Sequence, residues 1–348
     1  MSKKLLRGLI LSLAAFFVFG MKTDVFADER DMGVAEFDTA YSGTTGDGDR
    51  VHLYSFEIKE SGRVAFNYTY SAVDWNRFEV HDAAGNEMLF ERVHDGTFNN
   101  TLNLLEGEYV ISIHAYVGGG LEYSFSMTFE PSGETKSESY NAKNNEVGTA
   151  SDYTVGDKLK AQFAVNDDTD IYKTKVNSNC FVNFEINSDM SEMNGQFYNS
   201  MGDAKYDING ISVGKHSYSY FCPKGTYYIV LAKGGSVEGG NYDIKLSTSG
   251  IPKSKVKGTK NTSNGTVSVK WKRNEVVSGY QVQYSTDKKF KKNSNTVDIS
   301  GMTEESTYIS SLKKGSTYYV RVRTFVYDSN SKQYFSKWSP AKSVKVTK

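Results

Sequence analysis

Slid against itself by about 118 residues, the chain matches itself at four places taken in the same order. His52-Leu53-Tyr54 falls on Asp170-Ile171-Tyr172, and His81 to Asn86 falls on Tyr198 to Asp203. Gly107-Glu108-Tyr109 falls on Gly225-Thr226-Tyr227, and Tyr123 falls on Tyr242. A near-constant offset kept over four landmarks requires one module present twice, at residues 28–131 and 132–249. Both copies read as strands. Tyr109 to Ile113 and Tyr227 to Leu231 are aromatic and β-branched runs, each preceded by a tight turn at Gly107 or Gly225. No stretch carries a sustained helical stripe with caps. Glu134 to Asn145 is polar, has no apolar pattern, and reads as the linker between the copies.

Residues 250–348 follow a different pattern. Thr266 to Trp271, Tyr280 to Tyr284 and Tyr318 to Arg323 alternate with period two, and Gly279, Gly301 and Gly315 punctuate them. Short strands at such intervals indicate a sandwich. Aromatics make up 14% of the chain, which favours pleated, half-buried strands over a helical bundle. The expected fold class is therefore all-β, three consecutive β-sandwich domains.

Two family resemblances follow. Residues 250–348 resemble a bacterial fibronectin type III module through Trp271, Gly279 to Tyr284, Leu312, Gly315 to Val322 and Trp338-Ser339. The resemblance implies an immunoglobulin-like sandwich, with Trp271 in its core and Tyr318 as the tyrosine-corner residue. The two copies resemble the bacterial pre-peptidase C-terminal domain, which is similar to the collagen-binding domain of clostridial collagenases. The second copy carries this best, with Asn144-Asn145, Thr149-Ala150, Asp167 to Tyr172 and Gly225 to Ile229 in the family's order. The first copy has His52 where the family's Asp stands. The resemblance implies a jelly-roll-like sandwich of the kind appended to secreted enzymes.

Family members that bind calcium take oxygens from the segment before the first strand and from an Asp-x-x-Asp pair. Asp167 and Asp170 have that spacing, and Asn144 and Asn145 stand upstream. The family's two Glu residues before the Asn pair are replaced by Tyr140 and Ala142, and Glu138 or Glu146 is expected to compensate. The resemblance thus implies Ca²⁺ in the second copy, held by Asp167, Asp170, Asn144, Asn145 and Glu138. The competing reading is a solvated acidic turn. In the first copy Asp47 and Asp49 are thinner candidates.

Residues 1–27 read as a secretory signal peptide: Lys3, Lys4 and Arg7, then an apolar run from Leu9 to Phe19, then Val25-Phe26-Ala27 before the cut. The run is shorter than the roughly 20 residues a membrane span needs, so no span is expected after removal, and the chain is expected outside the cell, with non-covalent attachment to the wall as an option. Cys180 and Cys222 in an exported chain fit one disulfide, with two buried free thiols as the alternative. Formal net charge is zero, but from Ile251 onward 20 basic residues face 6 acidic ones, and from Asp28 to Gly250 17 basic face 34 acidic. The basic module fits either a plain solvated surface or contact with an anionic cell-wall polymer.

Catalytic motifs are missing. None of the five histidines forms His-Glu-x-x-His, no Gly-x-Ser-x-Gly elbow is present, and no helix follows Gly118-Gly119-Gly120. Binding surfaces are what is left. Most tyrosines belong to alternating strands and hence to cores. Trp75, beside Asp74, Asn76 and Arg77, and Tyr116 are the expected exposed ligand-binding aromatics. Nucleic acid is not an expected partner. The function expected is that of a secreted, non-catalytic binding or adhesion protein recognising extracellular polysaccharide or matrix protein. The alternative is an accessory or structural subunit of a secreted hydrolase complex, with no ligand of its own.

Overall fold

The structure, a computed structural model, describes residues 29–46, 50–71, 76–93, 96–115, 120–136, 138–139, 143–201, 205–235 and 237–347. The expected signal peptide, Asp47, Asp49, Trp75 and Tyr116 lie outside the described residues.

The chain is all-β, and its strands fall into three groups. The first holds β1 (Glu29–Val34), β2 (Ala40–Thr44), β3 (Val51–Ile58), β4 (Gly62–Tyr70), β5 (Asn76–Asp82), β6 (Glu87–Val93), β7 (Thr97–Leu104), β8 (Gly107–Ala115) and β9 (Glu122–Pro131). The second holds β10 (Ser151–Tyr153), β11 (Lys158–Phe163), β12 (Thr169–Val176), β13 (Cys180–Ser188), β14 (Met193–Asn199), β15 (Lys205–Ile211), β16 (Gly214–Cys222), β17 (Gly225–Lys233) and β18 (Gly240–Ser249). The third holds β19 (Val256–Ser263), β20 (Thr266–Trp271), β21 (Gly279–Ser285), β22 (Ser294–Ser300), β23 (Ser306–Ile309), β24 (Thr317–Tyr327), β25 (Gln333–Phe335) and β26 (Lys342–Lys345).

The repeat seen in the sequence is a repeat of topology. One sheet of the first copy runs β1-β3-β8-β5-β6, and its equivalent runs β10-β12-β17-β14-β15. The facing sheets run β2-β9-β4-β7 and β11-β18-β13-β16. Each strand of copy two is the ninth after its counterpart, and the parallel pair β1/β3 recurs as β10/β12. Period-two alternation builds each core. Tyr109, Ile111 and Ile113 of β8 point inward with Phe56, Phe66 and Phe78; Tyr227, Ile229 and Leu231 of β17 do so with Phe184 and Phe197. The tyrosine opening each of these strands donates to a carbonyl four residues back, Tyr109 to Leu105 at 2.8 Å and Tyr227 to Pro223 at 2.9 Å. Gly85, at φ 83°, supplies the left-handed position of the β5–β6 turn, where Asp82 Oδ1 accepts from the amides of Ala84 and Asn86.

In the third group Trp271 is 0% exposed, packs on Tyr280 and donates from Nε1 to the Glu304 carbonyl at 2.9 Å. The Tyr318 hydroxyl accepts from the Lys313 amide at 3.1 Å, which closes the corner expected of it. Outside β24, Trp338 is sandwiched between the guanidinium groups of Arg321 and Arg323, which also cover Phe290 and Phe335. The junctions are packed. Phe181 and Phe221 of copy two join the third core, with Phe221 5.1 Å from the Tyr334 ring. Val165 of copy two packs on the core of copy one.

The expected disulfide is not formed. Cys180 and Cys222 face one another in the β13–β16 register, but both are free thiols enclosed in the apolar core of copy two. The Cys222 Sγ turns to the Tyr220 carbonyl at 3.6 Å, and burial pushes both thiols up. A thiol reagent is therefore expected to label neither cysteine in the native protein and both after denaturation. A chain that stays unlabelled in denaturant would hold the bond instead.

Candidate metal centre

Glu138, Asp167 and Asp170 converge although 32 residues separate the first from the last. Their ligand oxygens all lie within 4.8 Å of one another, and all three residues are buried. Each is held by its neighbours. Asp167 sits in the loop between β11 and β12, whose carbonyls are gripped by ammonium groups: Lys233 Nζ donates to Ala164 at 2.6 Å and Val165 at 2.8 Å, and Lys143 Nζ to Asn166 at 2.5 Å. Asp170 lies on β12, where period two turns it inward with Tyr172. The Tyr242 hydroxyl donates to Asp170 Oδ2 and lies 2.7 Å from the Tyr172 hydroxyl. The Glu138 carbonyl accepts from Ser61 Oγ of copy one at 3.2 Å.

Asp167 is 0% and Asp170 1% exposed, so the solvated-turn reading does not hold. Asn144 stands beside them, with its Oδ1 accepting from the Ile171 amide at 2.9 Å. That bond makes it the cap of β12 as well as a neighbour of the cluster. Asn145 keeps its Oδ1 buried and without a donor. One residue was missed by sequence reasoning: Glu134. Its Oε1 accepts from the Gln162 amide at 2.9 Å, and its buried Oε2 has no donor. The polar segment read as a linker is thus built into copy two, where Thr135 also pairs through its amide and hydroxyl with Lys160 of β11.

The electrostatics follow from crowding acids away from water. Burial first, then Asp167 and Glu134, pushes Glu138 up to about 8. Burial pushes Glu134 up to about 7, against the hydrogen bond from the Gln162 amide. Burial raises Asp167, opposed by Asn145 and by Lys143 and Lys233. Asp170 stands well above the carboxylate range through burial and the charges of Glu138 and Asp167. Glu134 Oε2, Glu138 Oε2, Asn145 Oδ1, Asp167 Oδ1 and Oδ2, and Asp170 Oδ1 are buried acceptors without a donor. Buried polar atoms are normally paired. A set of hard oxygens rich in carboxylate and short of donors fits Ca²⁺, which takes six to eight of them.

Copy one solves the same position differently. His52 stands where Asp170 stands, with Nδ1 2.6 Å from the Tyr123 hydroxyl, itself 2.8 Å from that of Tyr54. The two tyrosines match Tyr242 and Tyr172, and the acid is replaced by an imidazole.

A second polar cluster lies on the outer face of β5 and β8. Glu79 Oε2 is 3.0 Å from His81 Nε2 and 3.3 Å from His114 Nε2, and Arg77 reaches Oε1 at 3.0 Å. Burial alone would raise Glu79, but His114, His81 and Arg77 hold it well below the carboxylate range. Ser112 Oγ is 3.1 Å from His114 Nε2. A nucleophile relay needs the imidazole to bridge serine and acid through its two nitrogens. Here one nitrogen meets both, so the cluster is a neutralised patch.

A groove of about 450 Å³ crosses the outer face of β11-β18-β13-β16. The strand register sets Ser217, Glu185, Lys245 and Lys158 in one row and Lys215, Asn187, Asp243 and Lys160 in the next. The matching rows of copy one are uncharged: Ser42, Ser124, Thr69 and Thr97, then Ala40, Ser126, Asn67 and Asn99.

Residues 251–342 match the family model of the fibronectin type III domain. Among solved structures, the chain is similar to the pre-peptidase C-terminal domain of the collagenase of Bacillus anthracis, at 15% identity over 30% of this chain and 100% of that one, with a TM-score of 0.26. It is similar to a myokine at 19% identity over 29% of this chain and 100% of that one, TM-score 0.23. It is also similar to a redesigned β-sandwich protein at 20% identity over 26% of this chain and 84% of that one, TM-score 0.20. No curated protein sequence matches it.

Proposed function

We propose that the chain is a secreted, non-catalytic binding protein that carries one Ca²⁺ in its second repeat and holds an extracellular polysaccharide or matrix protein. One observation carries the reading: the buried, donor-poor oxygens of Glu134, Glu138, Asn145, Asp167 and Asp170. Extracellular modules bind calcium with dissociation constants of about 10⁻⁴–10⁻³ M. Such a site therefore suits a compartment where the ion is plentiful. The metal supplies positive charge that lets the carboxylates ionise while buried. The protein's part is positional: Lys233 and Lys143 fix the Asp167 loop, and Tyr242 orients Asp170.

The groove on copy two is the recognition surface this reading favours, because the side chains of Glu185, Asn187, Lys215, Ser217, Asp243 and Lys245 line it beside Ile186 and Ile244, setting hydrogen-bonding groups next to apolar surface. Hydrogen-bonding side chains in rows suit a polyhydroxylated chain. The basic third module supports contact with an anionic wall polymer as a second attachment. Retention on insoluble polysaccharides, collagen and purified cell walls at low salt is the test. Binding to at least one support is expected with Ca²⁺, reduced by Glu185→Ala with Asp243→Ala. No retention on any of them would overturn the reading.

A further inference from the structure

We infer that the chain associates with itself end to end, the lysine-bearing sheet face of the third module docking on the acidic first repeat of a second copy. The charge of the chain is polarised more sharply than its halves suggest. Residues 28–131 hold 19 acidic and 6 basic residues, residues 132–249 hold 15 and 11, and residues 251–348 hold 6 and 20. The two poles are nearly equal in size and lie on either side of a weakly charged middle. Among the described residues no ion pair joins the first module to the third: Lys257–Glu305 and Arg273–Glu275 stay within the third, and Arg77–Glu79 within the first. The poles do not satisfy one another within one molecule.

The docking face is the outer side of β19-β20-β23. Register sets Lys260, Ser268 and Tyr308 in one row and Gly258, Lys270 and Ser306 in the next. Both lysines are exposed and have no carboxylate partner among the described residues. Tyr308 is 67% exposed and stands on the β23 edge of the same face, across Ser268 from Lys260. On the opposite sheet, Arg321 and Arg323 are already engaged, stacked on Phe290, Trp338 and Phe335 and bonded to Gln283 and Gln281. The guanidinium groups of β24 are therefore taken, whereas Lys260 and Lys270 carry no ion pair among the described residues.

The first repeat presents the complement. Glu57 of β3 and Glu108 of β8 are register partners, both exposed, and neither has an ion pair among the described residues. Like charges directly opposite each other on a sheet repel, and an incoming ammonium group relieves them. A second copy is favoured over other polyanions because the same chain supplies the compensating charge in matching amount. A contact between unlike faces leaves each end free for another molecule, so it propagates.

Sedimentation velocity of the chain from Asp28 onward, in EGTA so that calcium does not bridge molecules, tests this. At protein concentrations of about 100 µM, dimers and larger species are expected at about 20 mM NaCl and monomer at about 500 mM, with the association constant falling at least ~100-fold. Lys260→Glu with Lys270→Glu is expected to be monomeric at low salt with an unchanged circular dichroism spectrum. Glu57→Lys with Glu108→Lys is expected to be monomeric as well, and the two folded variants mixed should associate again. A wild-type monomer at low salt overturns the inference. So does association that ignores salt or persists in the lysine variant. A mixture that stays monomeric removes Glu57 and Glu108 as the acceptor.

Discussion

Stripped of divalent cations, the second repeat is expected to lose stability as pH rises from about 5 to about 8, and Ca²⁺ is expected to abolish that loss. The sign follows from linkage. Glu138 titrates near 8 and Glu134 near 7 in the folded chain, both above the ordinary value of 4.5, and Asp167 and Asp170 are raised too. A folded state that binds more protons than the unfolded one is favoured at low pH. The contribution is fully present below about pH 4.5 and is lost as pH climbs through 7 and 8. Calcium takes the place of the protons. Its affinity should therefore rise with pH, and binding near pH 7 should release protons into a weakly buffered solution. At about 100 times its dissociation constant the ion adds roughly 2.7 kcal/mol, which shifts melting of a module this size by about 10 °C. Scanning calorimetry at pH 5, 6.5 and 8, with EGTA and with Ca²⁺, checks the sign. A metal-free chain that grows more stable toward pH 8 would contradict it.

Asp170→Asn is expected to separate the two roles of that residue. Asparagine keeps the shape and can still accept from the Tyr242 hydroxyl, but it brings no charge into a site that is 1% exposed. Removing one member of a crowded set of buried like charges relieves the others. The metal-free variant should thus melt higher than the wild type at pH 8. With one carboxylate of the set gone, calcium affinity should drop at least ~100-fold and the Ca²⁺-induced shift should vanish. Isothermal titration with Ca²⁺ reads the first effect, melting in EGTA the second. A variant that melts lower in EGTA and keeps its calcium shift would place the cation elsewhere.

Much of this was open to inspection in the sequence. The duplication was legible because alternation and turn residues recur at one offset, and cores built from strands depend on that alternation. Asp167 and Asp170 were legible because their spacing is local to one loop and the start of β12. Glu134 was not. It lies in a stretch with no apolar pattern, and only folding of that stretch onto β11 brings it to the cluster. Asn144 carried the right chemistry, but its bond to Ile171 arises from the path of the chain before β12. The groove on copy two was invisible for a related reason. Its rows join residues from β11, β18, β13 and β16, four strands whose order in the sheet is not their order in sequence. The cysteines faced one another as a disulfide would require, yet position on paired strands does not decide the oxidation state.

Under the proposed calcium site, the exchange of Asp170 for His52 between otherwise matching tyrosine pairs makes only one of the two repeats answer to the ion. One twin closes its polar spot with a group it carries itself; the other would take the last part from the medium. A fall in ambient calcium would then soften the central repeat first, and through Val165, Phe181 and Phe221 it would loosen the packing that this repeat lends to the modules on either side.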